Sequence, residues 1–432
     1  MVMEASLILV LVFALLLALG IPIAISIAIA ALSAILLALP LDIAVFTSAQ
    51  KMVASLDSFS LVAVPFFILS GIIMNHGGIA HKLIDLAKLI GGRIPGSLAH
   101  TNIIGNGLFG SISSSAIAAS TAIGGVMVPL QEKEGYDRKF AAAVNIASAP
   151  VGMVIPPSTA FIIFSLISGG TSIAALFMAG AVIGLLWMFT IMVVAYIIAK
   201  KNNYPIAAKN SNQNVKKIVI DAIPSLFLIV IVIGGILTGV FSAIEASAVC
   251  VIYSLFLALV YYRTLKVNQL PHVFVKAVEM TGIIMFLIAA SSLMSFTMAF
   301  TGIPEALSNL VLGFSDNPII ILLIITLVLI LIGTVMDVAP AILIFTPIFL
   351  PIALDLGIDP VHFGMFFILN LCVGTITPPV GTGLFVGSSI AKVNIEKLIK
   401  PLMPFYLAIF ILLLVVTFVP QISLFLPNLL GL

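Results

Sequence analysis

The chain has 432 residues, of which 62% are hydrophobic and only 8% are charged. Soluble domains carry about a quarter charged residues, so this composition excludes an ordinary soluble fold and indicates a polytopic membrane protein. The net charge of +2 says little by itself; the placement of the charges says more. Cys250 and Cys372 both lie in apolar runs and offer neither a disulfide framework nor a metal-ligand spacing. No Walker loop, nucleophile elbow or dinucleotide fingerprint occurs, so the chain reads as a non-enzyme that hydrolyses no ATP itself. No basic n-region precedes Leu7, and the first apolar run reads as a retained helix rather than a cleavable signal.

A spanning helix needs about 20 apolar residues. In chain order, the apolar runs predict spans near 5–20, 21–39, 58–75, 140–166, 173–199, 219–240, 243–262, 278–300, 361–390 and 402–428. Stretches 96–130 and 317–351 do not fit as simple spans. Each has a small, polar centre: Gly110-Ser111-Ile112-Ser113-Ser114-Ser115-Ala116 in the first, Gly333-Thr334-Val335-Met336-Asp337-Val338-Ala339-Pro340 in the second. The flanking arms are about 15 residues, roughly 22 Å of helix against a hydrocarbon core of about 30 Å. Both read as re-entrant helical hairpins. Two short helices joined by a loop is the alternative.

Two of the spans contain a break. Gly152-Met153-Val154-Ile155-Pro156-Pro157 and Gly374-Thr375-Ile376-Thr377-Pro378-Pro379 share the pattern Gly-x-x-x-Pro-Pro. A proline pair removes two backbone donors, clashes with the preceding turn and forces the residue before it out of the α region. The freed carbonyls are costly in hydrocarbon unless something binds them. Paired broken helices in two halves of a chain point to a transporter's ion and substrate site.

Positive charge tests the layout. With both hairpins re-entrant, 17 of the 18 Lys and Arg residues fall on one side, and Lys51 alone falls on the other. That side is cytoplasmic by the positive-inside rule. Asp42, Asp57, Glu305, Asp316, Asp355 and Asp359 fall in outer loops. The halves are offset by about 222 residues: Gly110 to Pro156 spans 46 residues, Gly333 to Pro378 spans 45, and Gly78-Ile79 matches Gly302-Ile303. Each match opens a short amphipathic arm, one ending at Gly91 and the other at Gly313. The expected fold is all-α, with two inverted repeats at 1–199 and 218–432. Each repeat carries one hairpin and one Pro-Pro-broken helix, and a polar cytoplasmic linker, 200–217, joins them.

The candidate chemistry sits at the tips and breaks. Ser111, Ser113, Ser114 and Ser115 offer hydroxyl oxygens, which suit a hard cation, and a hairpin tip also offers free amides for a carboxylate. Small residues that merely let helices pack closely are the alternative. Asp337 lies at the second tip beside Thr334, and an acid at membrane depth points to cation binding. It could instead cap the arm that starts near Val338. The broken helices add Asn145, Ser148 and Gly152 in one half, and Asn370, Gly374, Thr375 and Thr377 in the other. Asn145 and Asn370 are equally readable as interhelical hydrogen-bond glue. Trp187 reads as a packing or lipid contact and the histidines as interfacial. The charges from Lys82 to Arg93 read as a solvated face on the membrane surface.

These motifs resemble a known family. Gly110 to Ser115, Gly135-Tyr136, Ile155-Pro156-Pro157-Ser158, Gly333 to Asp337, Pro340 to Leu343, Leu356 to Pro360 with His362-Phe363-Gly364, and Thr377 to Gly381 look like the large permease subunit of tripartite ATP-independent periplasmic (TRAP) transporters. The resemblance covers essentially the whole chain. It implies a multi-pass protein of the bacterial inner membrane with an elevator-type fold. It implies two partners, a small four-helix membrane subunit and a periplasmic substrate-binding protein, and no nucleic acid. It also implies import of an organic acid driven by Na⁺, with more than one ion. Carried over by motif, Na⁺ would be held by Ser111, Ser113, Ser115, Asn145, Gly152, Gly333, Thr334, Asp337, Gly374 and Thr377. Substrate would meet Ser114, Ser148, Pro156, Thr375 and Pro378. Ser114 departs from the family's Ser-Gly-Ser tip. The stretch Val380 to Phe385 resembles sialic acid or sugar-acid members more than C4-dicarboxylate members. The rival readings are a stand-alone Na⁺/organic anion symporter and an ion channel. An intramembrane enzyme would need a second acid to pair with Asp337, and none is in a comparable setting.

Overall fold

In the computed structural model every assigned element is helical. Residues 2–432 are described, apart from 78, 93, 207–214, 304, 305, 307–316 and 379. Gly78, Arg93, Lys209, Glu305, Gly313, Asp316 and Pro379, and with Lys209 the middle of the expected linker, lie outside the described residues. Among the described residues seven helices are long and apolar enough to cross a membrane, or eight if one bent pair counts as a single span. Large apolar side chains such as Phe46, Phe189 and Leu407 are more than 60% exposed, as on a lipid-facing surface rather than a water-facing one.

The first hairpin comprises Ser97–Ser113 and Ala116–Lys133, and the second comprises Pro318–Val335 and Val338–Asp355. Their breaks occupy only two residues each, Ser114-Ser115 and Met336-Asp337. The arms are therefore longer than the sequence suggested: an 18-residue arm reaches about 27 Å, close to a full core of about 30 Å. Arm length therefore does not separate a re-entrant hairpin from two spans. The first broken helix runs Arg138–Ser148, Val151–Val154 and Thr159–Ile167, with a 49° bend across the proline pair. The second runs Pro360–Thr375 and Thr382–Ala391.

The hairpins and broken helices interlock. The first arm of each hairpin lies on the broken helix of its own half, Ser97–Ser113 on Val151–Val154 and Pro318–Val335 on Pro360–Thr375. The second arm of each lies on the far piece of the other half's broken helix: Ala116–Lys133 on Thr382–Ala391, and Val338–Asp355 on Thr159–Ile167. Arg138 ties the two broken helices together, its Nε donating to the Ala391 carbonyl at 2.6 Å. Outside this unit, Ile23–Ile35 and Leu41–Leu56 pack on the long helix Leu270–Thr301, and Ala63–His76 packs on Ala243–Leu255.

Several details differ from the sequence reading. Leu41–Leu56 is a helix that hydropathy missed, because Asp42, Gln50 and Lys51 dilute its apolar face. The expected span at 402–428 is two helices, Ile395–Phe418 and Pro420–Leu430, since Pro420 cannot donate into the preceding turn. The helix expected to start at 278 begins at Leu270, where Pro271 sits in its first turn, a position proline tolerates. Lys82 is not simply solvated: on the amphipathic arm Ile79–Gly91 it meets Asp221 of Val215–Leu237 at 2.9 Å, and that hydrogen bond raises its pKa. His100 and His362 are buried rather than interfacial, and Trp187 is fully buried packing.

Glycines set the hairpin crossings. A Cβ on Gly152 would lie 2.1 Å from the Gly110 Cα, and one on Gly374 would lie 2.6 Å from the Gly333 Cα. Backbone meets backbone at both points, so neither neighbour can yield as a side chain could. Gly152→Ala is expected to lose about 1–3 kcal/mol or more of stability through forced displacement. Gly125→Ala, where the added carbon meets nothing within 4 Å, is expected to match wild type. Thermal unfolding of the purified protein in detergent measures both. Equal midpoints would show that the crossing is not tight.

Candidate ion and substrate site

The prolines decide the local chemistry first. In the first break, Pro156 and Pro157 carry no N–H, so the Met153 carbonyl loses both of its possible helical donors. Ser158 replaces them: its hydroxyl donates to the Met153 carbonyl at 2.5 Å. In the second break the matching carbonyl is Thr375, which faces Pro378 and Pro379 in the sequence. Val380 stands where Ser158 stood, and it has no hydroxyl to give. The Thr375 and Thr377 carbonyl oxygens converge, each 2.9 Å from the point where a side chain on Gly381 would begin. Gly381 has φ +60°, so both its conformation and this crowding favour glycine.

Each tip reaches its break in a different way. In the first half the Ser114 hydroxyl donates to the Pro157 carbonyl at 2.9 Å. In the second half the Gly381 amide donates to the Thr334 carbonyl at 2.7 Å. Ser114 has φ +50°, in the left-handed region that favours glycine.

The hydroxyls divide into roles. Thr334 donates to Leu331, Thr375 to Cys372 and Thr377 to Val373, each to the carbonyl and each at 2.7 Å. Ser111 donates to Leu108 at 2.9 Å. A hydroxyl whose proton is committed to a carbonyl presents its lone pairs outward, as a cation ligand should. The buried Ser113 Oγ has no partner. Ser115 caps the second arm by accepting from the Ala118 amide at 3.2 Å. Asp337 occupies the N-cap position of Val338–Asp355, yet its side chain makes no capping hydrogen bond and is exposed. The adjacent Val338 amide is the backbone donor to this carboxylate.

The structure does not bring Asn145 and Ser148 to the tip. They belong to a buried network one helical turn below the Gly110–Gly152 crossing. Asn106 donates to the Asn145 Oδ1 at 3.1 Å and to the Ser148 Oγ at 2.7 Å, and Asn145 donates to the Ser120 Oγ at 2.9 Å. This network joins both arms of the first hairpin to the first broken helix. Sequence reasoning missed Asn102 and Asn106. Their signal was there: amides four residues apart in a membrane-depth run, on one face with Gly110. Asn370 sits one turn below Gly374; it donates to the Phe366 carbonyl, and its buried Oδ1 has no partner. Pro156 is buried at its break and Pro378 is half-buried at the other.

Comparison with known proteins decides the family. The family described as "Tripartite ATP-independent periplasmic transporter, DctM component" matches residues 10–422. The chain belongs to this family. It is a multi-pass permease component of the bacterial inner membrane, not an enzyme. It is 51% identical to the uncharacterized protein YgiK of Salmonella typhimurium, over 92% of each chain. It is 37% identical to the sialic acid TRAP transporter large permease protein SiaM of Vibrio cholerae, covering 88% of this chain and 89% of that protein. To the C4-dicarboxylate permease DctM of Pseudomonas aeruginosa it is 36% identical, over 89% and 90%. Among solved structures, the YdaH transporter of Alcanivorax borkumensis shares the fold, with a TM-score of 0.60 at 14% identity over 89% of each chain.

In this TRAP permease the geometry at Ser114 makes two opposing contributions. Left-handed backbone costs a non-glycine residue roughly 1–2 kcal/mol. The Ser114–Pro157 bond returns about 1 kcal/mol. Ser114→Gly is expected to leave the thermal midpoint nearly unchanged, whereas Ser114→Ala keeps the strain, loses the bond and unfolds earlier. An alanine variant as stable as the glycine variant would rule out this balance.

Proposed function

We propose that this TRAP permease is the large membrane subunit of a Na⁺-coupled importer of an organic acid, with a sugar acid as substrate. It works with a small four-helix membrane subunit and a periplasmic binding protein. The observation that carries the reading is the second break. The Thr375 and Thr377 carbonyls converge there with no hydroxyl to satisfy the former, beside threonine hydroxyls whose protons are already committed. Oxygen ligands without donors suit a hard cation.

Two Na⁺ sites follow from the two halves. The first draws on Ser111, Ser113, Ser115 and Gly152, with Asn145 supporting the site from below through its network. The second draws on Gly333, Thr334, Asp337, Gly374 and Thr377. The two halves act as inverted repeats, 1–199 and 218–432, joined by the cytoplasmic linker 200–217. Bound Na⁺ neutralises the exposed oxygens and the Asp337 carboxylate. The substrate carboxylate then meets Ser114, Pro156, Thr375 and Pro378, near the N-terminal ends of Ala116–Lys133, Thr159–Ile167, Val338–Asp355 and Thr382–Ala391, where free amides favour negative charge. An anion without this compensation would face a prohibitive cost in hydrocarbon. The interlocked hairpins and broken helices form the body that moves as an elevator. The outer helices and the arm anchored by Lys82–Asp221 form the body that stays. The Val380 to Phe385 stretch supports a sugar acid over a C4-dicarboxylate.

The test is uptake by the reconstituted complex with and without Na⁺, and with and without the binding protein and the small subunit. Uptake that needs all three is expected; uptake indifferent to Na⁺ and binding protein would overturn the proposal. Asp337→Asn is expected to weaken the apparent Na⁺ affinity at least tenfold, about 1.4 kcal/mol. An unchanged Na⁺ dependence would remove Asp337 from the site.

A further inference from the structure

The second break receives one hydroxyl from outside both its own helix and its hairpin. Tyr406, on Ile395–Phe418, donates its hydroxyl proton to the Ile376 carbonyl at 2.6 Å. Ile376 stands between Thr375 and Thr377, the two residues whose carbonyl oxygens converge near Gly381. Pro379, three residues further on, has no N–H to offer the Ile376 carbonyl.

The peptide that joins Ile376 to Thr377 is thereby held at both ends. Its carbonyl accepts from Tyr406, and its amide, on Thr377, donates to the Gly374 carbonyl at 2.9 Å. A peptide unit is planar, so fixing both of its polar ends fixes its orientation. That orientation constrains the dihedral angles on either side of it, and with them the directions of the Thr375 and Thr377 carbonyls. The helix that delivers the hydroxyl is itself anchored. It packs on Arg138–Ser148 and on Pro360–Thr375, and Phe405, next to Tyr406, is fully buried with its ring 6.3 Å from that of Phe140.

The first half handles the same place differently. The offset of 222 residues that matches Gly152 with Gly374 and Pro156 with Pro378 also matches Gly184 with Tyr406. Gly184, on Ile173–Lys201, comes directly against the first break: a Cβ there would lie 2.4 Å from the Ile155 Cγ1 and 3.2 Å from the Ile155 amide nitrogen. That position delivers no hydroxyl, and Ser158 serves the Met153 carbonyl from within the break. The tyrosine therefore belongs to the half that carries Asp337 and is not a requirement of the shared architecture.

We propose that Tyr406 is a positioning residue for Na⁺ at the second half-site, an inference that rests on the Na⁺-coupled reading of that break. Its proton is committed to the middle carbonyl, so it acts through the peptide. The flanking Thr375 and Thr377 carbonyls are held as a pre-formed pair, and little reorganisation is left to oppose ion binding. Without the bond, the Ile376–Thr377 peptide can turn, and an arriving ion must order it first.

The test is thermal unfolding of the complete complex in detergent across a NaCl series, with choline chloride holding the ionic strength constant. An ion that binds only the folded protein raises the midpoint in proportion to its affinity. Tyr406→Phe removes the hydroxyl and keeps the ring. It is expected to raise the Na⁺ concentration that gives half of the stabilisation by about fivefold or more. Para-aminophenylalanine in place of Tyr406 keeps a donor on the ring and is expected to restore most of that loss. Tyr406→Met also lacks a donor and fills the same space flexibly, and it replaces Tyr406→Phe should that variant fail to fold. A bond that serves stability alone would lower the midpoint equally in Na⁺ and in choline and leave the half-effect concentration unmoved. That result overturns the positioning role, and Na⁺-driven uptake by the wild type alongside it leaves the importer reading standing. A wild type with no Na⁺-specific stabilisation overturns the role and the Na⁺ sites together. A Na⁺ response weakened by Tyr406→Phe, without Na⁺-driven uptake, supports the role and overturns the importer reading.

Discussion

A proline pair inside a membrane helix leaves carbonyls that hydrocarbon cannot solvate, and the rest of this structure depends on how they are handled. An unpaired backbone carbonyl at membrane depth costs several kcal/mol. The first break disposes of one such carbonyl internally, through Ser158 onto Met153. The second has no equivalent hydroxyl, and its oxygens converge near Gly381. Each break also receives a hairpin tip. The tips can come close only because Gly110, Gly152, Gly333 and Gly374 have no side chains to hold the backbones apart.

That close approach explains why the hairpins and broken helices pack as one interlocked unit. Each hairpin reaches its own break with one arm and the opposite half's broken helix with the other. Arg138 bonded to the Ala391 carbonyl adds a tie between the two broken helices. Below the first crossing, the Asn106–Asn145–Ser148 network welds the hairpin to its broken helix with donors and acceptors that lipid could not replace. Among the described residues no such amide cluster recurs below the second crossing, where Asn370 keeps an unpaired oxygen.

The two half-sites are therefore unequal in more than the presence of Asp337. One tip is held by a serine hydroxyl in left-handed geometry, the other by a backbone amide. The first break satisfies its Met153 carbonyl through Ser158, whereas in the second the Tyr406 hydroxyl donates to the Ile376 carbonyl and Val380 offers Thr375 no hydroxyl.

Much of this was legible in the sequence, because it depends on local covalent facts. Proline has no N–H wherever it sits, so the breaks at Pro156-Pro157 and Pro378-Pro379 could be placed from residue identity alone. Hydropathy showed a membrane protein, because an apolar run long enough to cross lipid is a local property of the sequence. The polar centres marked where the hairpins turn. The tertiary structure alone decided who faces whom. It paired Asn106 with Asn145 across 39 residues, moved Asn145 and Ser148 from the tip into a network, and gave Ser114 its left-handed backbone. It shaped Leu41–Leu56 into a helix against Leu270–Thr301 and left the Ser291 hydroxyl buried without a partner. Composition and period describe one segment at a time. The partner of a buried hydroxyl or amide is set by the neighbouring segment that fills the space beside it, and that is a property of the packed molecule.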